Sequence, residues 1–349
     1  LHECREAGLL PVMDLIINHT ARDCPLTNKH PQWYLHNASG GILSPCAVDP
    51  DDASKVTVWG DLAEIDNQNS PDKAGLWDYW DKLIEFYQHM GFFAFRCDAA
   101  YKVPAEIWRF LIQKAQQRDA NVLFFAETLG CTVKQTLSLR QAGFNYFFNS
   151  SKWWDFEQPW CLQQHAAFGR IAPSISFPET HDTSRLAADT DGSEAVQRQR
   201  YAFAALFSAG LMLPIGYEFG FRTRLDVVKT RPGGWEKPAF DLTKFIRRIN
   251  QLKMDLPLLQ GEGNFKLLQH DSNTVVLSRR SKKAPGKKAL IIINKDQNRP
   301  AATSLQPLTS GHGKFKIYHI CRDDAAFGAL ISHPGEIQLR PAEIILLTS

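Results

Sequence analysis

Gly91-Phe-Phe-Ala-Phe-Arg-Cys-Asp-Ala-Ala100 is a short apolar run that delivers an Arg and an Asp at its far end. Its length and its lack of helical period predict a buried strand. Strand side chains alternate between faces, so Arg96 and Asp98 leave one side together and Cys97 points to the other. An Arg beside an Asp holds that carboxylate ionised, as a nucleophile requires, and the carboxyl ends of parallel strands are where ligands bind. A structural ion pair at a strand end is the competing reading of the same two residues.

Outward from this run the chain alternates. Upstream, Asp72 caps a helix with Leu76, Trp80, Leu83, Ile84 and Tyr87 at helical spacing, closed by Gly91. Further upstream, 9–15 reads as a buried strand that delivers Asp14, Asn18 and His19 at its end. Between them, Thr20 to Asp72 has no sustained period, with Trp33, Tyr34 and Trp59 as expected aromatic anchors, and reads as a functional loop or small subdomain. Downstream come a helix from Pro104, the strand 122–126 ending in Glu127, a helix over 133–141, a strand over 144–148, and the strand 174–177 leading into Glu179, His181 and Asp182. A helix over 194–209 and a strand over 211–215 follow. This is an α/β pattern with acidic residues at strand ends, as in a barrel or doubly wound sheet. After a helix over 242–253, short runs at 265–278, 289–294, 315–321 and 336–348 without intervening helices predict a small antiparallel β domain.

Composition excludes several classes. With 349 residues, 44% hydrophobic and 22% charged, the chain is an ordinary globular protein, not a disordered one. A net charge of +3, with basic residues scattered apart from a hairpin-tip group at Lys282, Lys283, Lys287 and Lys288, implies neither nucleic acid nor membrane as a partner. Seven widely spaced cysteines without a Cys-x-x-Cys pair point to reduced thiols and a cytoplasmic setting. No run reaches the ~20 apolar residues of a membrane span. The sequence does not settle the oligomeric state.

Three carboxylates, Asp98, Glu127 and Asp182, end three different expected strands. In a closed parallel barrel they converge on one mouth, and glycoside cleavage needs one ionised carboxylate and one protonated carboxyl on either side of the bond. Glu127 follows Phe124-Phe125-Ala126, and an apolar approach favours a retained proton, whereas Asp98 stands next to Arg96.

Four stretches, Asp14-Leu-Ile-Ile-Asn-His19, Gly91 to Asp98, Phe125-Ala-Glu127 and Phe177-Pro-Glu-Thr-His-Asp182, resemble in order the signature regions of the alpha-amylase family, family 13 of the glycoside hydrolases. The resemblance implies a (β/α)₈ barrel over residues 1–258, with a loop subdomain at 20–72, and a C-terminal antiparallel β-sandwich over 259–349. It assigns Asp98 as nucleophile, Glu127 as general acid/base and Asp182 as the third carboxylate. Arg96 positions the nucleophile, and Asp14, His19 and His181 surround the innermost sugar. Tyr101, Lys102 and Arg185 complete the expected substrate-binding set.

The expected substrate is an α-1,4-linked glucan or maltooligosaccharide, cleaved with retention by an amylase-like hydrolase. Glucanotransferase or maltosyltransferase activity is the alternative, and a non-catalytic carbohydrate-binding relative is the second. The helix at Trp108 to Ile112, the Ala142-Gly143-Phe144 junction and the run Phe245 to Leu259 are similar to the branch that transfers maltosyl units from maltose 1-phosphate, a branch lacking the His found here at His181. Region four also departs from the family in reading Glu179-Thr-His where an Asn is common. No cofactor and no required metal are expected. Asn18 matches a position that ligates a structural calcium in many relatives, with Asp23, Asp49, Asp51, Asp52 and Asp61 on the same loop. The first two barrel strands have no counterpart in the sequence, so an N-terminal extension is expected in the functional polypeptide.

Overall fold

The computed structural model describes residues 1–48, 54–309, 314–332 and 334–349. The chain divides into two compact units, 1–149 with 170–172, and 150–169 with 173–349.

The first unit carries β1 (Val12–Leu15), β2 (His19–Ala21), β3 (Cys46–Val48), β4 (Val56–Val58), β5 (Leu62–Glu64), β6 (Ala94–Cys97), β7 (Leu123–Ala126) and β8 (Tyr146–Phe148). Strands β1, β6, β7 and β8 lie parallel in that order. The helix Lys73–Met90 crosses from β5 to β6 and Ala105–Arg118 crosses from β6 to β7. Asp72 caps the first of these through Gly75 N at 3.1 Å and also accepts Trp33 Nε1 at 2.9 Å, which ties the loop to the helix start. Gly91 ends it at φ 104°, a left-handed backbone that favours glycine, and the Arg5 guanidinium packs over it, with Nη2 donating to Gly91 O at 2.8 Å. The loop expected over 20–72 is a folded excursion: β2 pairs with β5, β3 with β4, and Trp33 and Tyr34 are buried.

The second unit begins its regular strands with the parallel pair β9 (Ser174–Ser176) and β10 (Gly210–Leu211). Then come β11 (Gly263–His270), β12 (Thr274–Ser281), β13 (Ala289–Asn294), β14 (Ala301–Ser304), β15 (Lys314–His319), β16 (Phe327–Ser332), β17 (Glu336–Leu339) and β18 (Ile344–Thr348). Six of these form one antiparallel sheet in the order β11-β12-β13-β18-β15-β16, and β14 pairs with β17. The sheet is buried on both faces. Ala289, Ile291, Ile293, Ile344 and Leu346 pack in one core with the helices Glu194–Phe207 and Thr243–Asp255, while Leu290, Ile292, Ile345 and Leu347 pack with Ile337 and Leu339 of β17. This explains the unbroken apolar runs of β13 and β18, which would alternate if one face met water. A parallel α/β arrangement followed by an antiparallel sheet domain is the fold class expected from the sequence.

Several local expectations fail for identifiable reasons. Leu9 and Leu10 are each 61% exposed and β1 begins at Val12, because β1 has one strand neighbour among the described residues. The strand expected over 211–215 stops at Leu211, since Pro214 has no N–H for a ladder. The run 265–278 is two strands, turned by Asp271, whose carboxylate accepts Asn273 N and Thr274 N. Trp59, expected as an anchor, is 41% exposed, with Lys102 Nζ 5.5 Å above its ring.

Candidate active site

Register decides what meets at the strand ends of the first unit. Asp14 pairs with Arg96 across β1 and β6, and Arg96 with Phe125 across β6 and β7. The ladder continues one step beyond the strands, with Asp98 N donating to Leu15 O and Glu127 N to Cys97 O, both at 3.0 Å. Alternation therefore turns Asp14, Arg96, Asp98 and Glu127 to one side, and Phe95, Cys97, Phe124 and Ala126 into the core, each of these four fully buried.

One guanidinium then serves three carboxylates. Arg96 Nη1 donates to Asp14 Oδ1 at 2.5 Å and to Asp98 Oδ1 at 3.5 Å, and Nη2 donates to Glu127 Oε1. Glu127 Oε2 accepts Ala99 N at 2.9 Å. Of the residues before Glu127, Phe125 lies on its face of the strand and Phe124 and Ala126 on the other, and Arg96 also faces it. Ala99 holds φ 39°, a left-handed conformation that costs a non-glycine residue ~1–2 kcal/mol and that here aims its N–H at Glu127.

The surrounding groups belong to the same unit. Burial pulls the His19 imidazole below its ordinary value, opposed by Asp98 and Asp61 and assisted by Lys102. Burial also pushes the Tyr101 phenol up to about 12, with Cys131, Glu127 and Asp98 adding to it. Lys102 donates to Cys46 O at 2.6 Å.

In the second unit His181 Nε2 and Asp182 Oδ2 are 3.1 Å apart. Arg224 Nη2 donates to Asp182 O at 2.9 Å. Glu179 and Arg185 are both buried. Arg185 Nη1 donates to Glu179 Oε1 at 2.7 Å, Nη2 to Ile215 O and Nε to Thr223 O, and Leu186 N donates to Glu179 Oε2. Burial raises the Glu179 carboxyl against these hydrogen bonds. Every nitrogen of the Arg185 guanidinium is thus engaged within the fold.

No protein-family model matches the chain. The alpha-1,4-glucan:maltose-1-phosphate maltosyltransferase of Burkholderia pseudomallei is 29% identical over 311 residues, 85% of this chain and 27% of that protein. The protein of the same name from Myxococcus xanthus is 23% identical over 301 residues, 82% of this chain and 43% of that protein. An alpha-amylase from Haloarcula japonica is 23% identical over 295 residues, 78% of this chain and 40% of that protein. The chain thus spans less than half the length of these curated relatives. Among solved structures, the alpha-amylase of Lactobacillus plantarum superposes with a TM-score of 0.74 at 19% identity, over 100% of this chain and 80% of that one. The acarbose complex of the Geobacillus thermoleovorans alpha-amylase gives 0.72 at 15%, over 99% and 79%.

The chain is a relative of the alpha-amylase family.

Two features separate this alpha-amylase relative from its family's usual pattern. Glu179, in place of the common Asn, is the buried partner of Arg185. At the expected calcium position, Asn18 Oδ1 and the neighbouring Asn67 Oδ1 are buried oxygens without a hydrogen-bond partner, a donor type that suits a hard cation. Among the described residues no group of three or more His, Cys, Asp or Glu side chains is placed to hold a metal ion. Asp49, Asp51 and Asp52 lie outside the described residues.

Sequence reasoning missed two features. Ala99 carries no signal, since its role rests on its backbone. The loop 221–237 carries Arg222, Arg224, Lys229, Arg231 and Lys237, a cluster visible in the sequence but obscured by its irregular spacing.

Proposed function

We propose that this chain carries the nucleophile and acid/base of a retaining enzyme acting on α-1,4-linked glucan. The observation that supports it best is the single Arg96 guanidinium shared by Asp14, Asp98 and Glu127 at the carboxyl ends of parallel strands. A surplus of carboxylate over cation there favours the positive charge that develops on a sugar's anomeric carbon. In the first step the Asp98 carboxylate bonds to the anomeric carbon as the bond to the leaving oxygen breaks, and protonated Glu127 gives its proton to that oxygen. In the second step Glu127 takes a proton from an incoming hydroxyl, whose oxygen bonds to the anomeric carbon and frees Asp98. Arg96 orients Asp98 through Nη1. By the family resemblance Asp182 is the third carboxylate.

Transfer of the glycosyl unit to a sugar acceptor stands ahead of hydrolysis, a reading supported by the curated relatives, whose names describe maltosyl transfer. Hydrolysis is the second reading, favoured by His181 beside Asp182, because the maltosyl-transferring branch lacks that His.

Product chromatography with maltoheptaose tests both. Chains longer than the substrate support transfer, and only shorter sugars support hydrolysis. Mass spectrometry after incubation with a 2-fluoro glycosyl fluoride tests retention, with a covalent adduct expected on Asp98. No adduct and no turnover in a polypeptide that folds would overturn the proposal.

A further inference from the structure

Three of the chain's nine tryptophans, Trp59, Trp153 and Trp235, are more than a third exposed, and of these only Trp59 lies in the unit that carries Asp98. Its backbone is fixed. Trp59 follows Val58, which pairs with Cys46 across β4 and β3; its N donates to Pro45 O and its O accepts Leu62 N, both at 3.1 Å. The turn thus holds a large apolar ring steady without burying it, although an indole is among the side chains that gain most from burial. Lys102 ties this turn to the carboxylate cluster. It stands four residues beyond Asp98, its Nζ donates to Cys46 O at 2.6 Å, and the same ammonium lies 5.5 Å from the centroid of the Trp59 ring. The charges of Asp98, Lys102 and Asp61 all reach the His19 imidazole, and Asp61 is two residues past Trp59. An ammonium over an indole takes up one face of the ring, and the exposure of Trp59 leaves ring surface for a ligand.

We propose that Trp59 sets the chain-length preference of the first unit: its open ring surface stacks on a glucose unit away from the cleaved bond, and Lys102 fixes the indole relative to Asp98. The C–H groups of a pyranose ring form an apolar, weakly positive face that matches the negative face of an indole, while the hydroxyl rim stays in water. A half-exposed indole suits such a ring. Contact with a sugar unit remote from the reacting carbon is the same in the ground state and the transition state, so it lowers KM and leaves kcat alone. Short substrates that do not extend to Trp59 gain nothing from it. The inference rests on the reading of Asp98 as the nucleophile.

The test is steady-state kinetics of the full chain and of Trp59→Ala and Trp59→Phe with maltotriose and maltoheptaose, joined to calorimetric titration of maltoheptaose into Asp98→Asn with and without Trp59→Ala. Trp59→Ala is expected to raise KM for maltoheptaose ~3–10-fold with kcat within about twofold, to narrow the preference for maltoheptaose over maltotriose, and to weaken binding to Asp98→Asn by the same factor. Trp59→Phe, which keeps an aromatic face, is expected to restore most of the loss. An unchanged KM in Trp59→Ala, a fall in kcat at constant KM, an equal loss with both substrates, or a Phe variant as weak as the Ala variant each overturns the assignment. A chain that turns over maltoheptaose with a KM indifferent to Trp59 loses the stacking residue and keeps the carboxylate reading. A chain that turns over no glucan, yet binds maltoheptaose more weakly once Trp59 is Ala, does the reverse.

Discussion

Two charged clusters in this molecule have opposite stoichiometries. At the strand ends of the first unit one guanidinium, Arg96, answers three carboxylates. In the second unit one carboxylate, Glu262, sits among His165, Lys253 and Arg279. Glu262 is saturated: its oxygens accept Ser174 N, Ser174 Oγ and Ala209 N, which fixes the starts of β9 and β10 to β11. Lys253 gives its protons to Ala205 O and Ser208 O, and Arg279 donates to Gly261 O. The Glu262 carboxylate is spent on the backbone and hydroxyl of the strands it holds together. In the Arg96 cluster Asp14 is half exposed and negative charge is in excess, which is what the proposed meeting with a developing cation would require.

If that contrast is correct, the largest effect comes from Asp98→Asn, expected to lower turnover of maltoheptaose by roughly three orders of magnitude or more, while Glu262→Gln leaves turnover per folded molecule unchanged. Equal losses in the two variants would erase the distinction. Next in size is Arg96→Gln, which leaves three carboxylates facing one another. Chemical denaturation should show a loss of ~3–5 kcal/mol, together with a fall in kcat. Glu262→Ala follows, with ~2–3 kcal/mol lost from stability and none of the catalytic effect, because it orphans buried N–H groups. A smaller effect separates the clusters by pH. Burial drives Lys253 down to about 7, well below its value in an unfolded chain. Between those two values the unfolded state holds the extra proton, so stability should rise with pH above about 7, by at most ~1.4 kcal/mol per unit. Lys253→Met should flatten this dependence, and an unchanged slope would place its origin elsewhere. The smallest effect is Ala99→Gly, which relieves a left-handed backbone and should raise stability by no more than ~1 kcal/mol.

The contrast also marks what the sequence discloses. Arg96 and Asp98 were legible because a strand's alternation is a local rule, and Gly91 and Asp72 because caps are local too. The union of Arg96 with Asp14 and Glu127 depends on parallel register between segments far apart in the chain, which no window on the sequence displays. The proximity of Arg96 to Glu127 was hidden for this reason, whereas Phe125, two residues before Glu127, shares its face by the local rule. Glu262, which falls between the helix expected over 242–253 and the run 265–278, gave no sign that it joins three strands. The turn at Asp271 was missed because its Asx hydrogen bonds, not a Gly or Pro, break the apolar run.

The doubly buried sheet sets the order in which the second unit can be made. β18 follows every other strand of that sheet in the chain, yet it lies at the centre, between β13 and β15. As the polypeptide leaves the ribosome, the helices Glu194–Phe207 and Thr243–Asp255 and the hairpin β12–β13 must wait, apolar faces uncovered, until Ile344 to Leu347 arrive to close both cores at once. Such a delay exposes the nascent chain to self-association for the time needed to synthesise roughly fifty residues, about 3 to 10 seconds at ~5–20 residues per second.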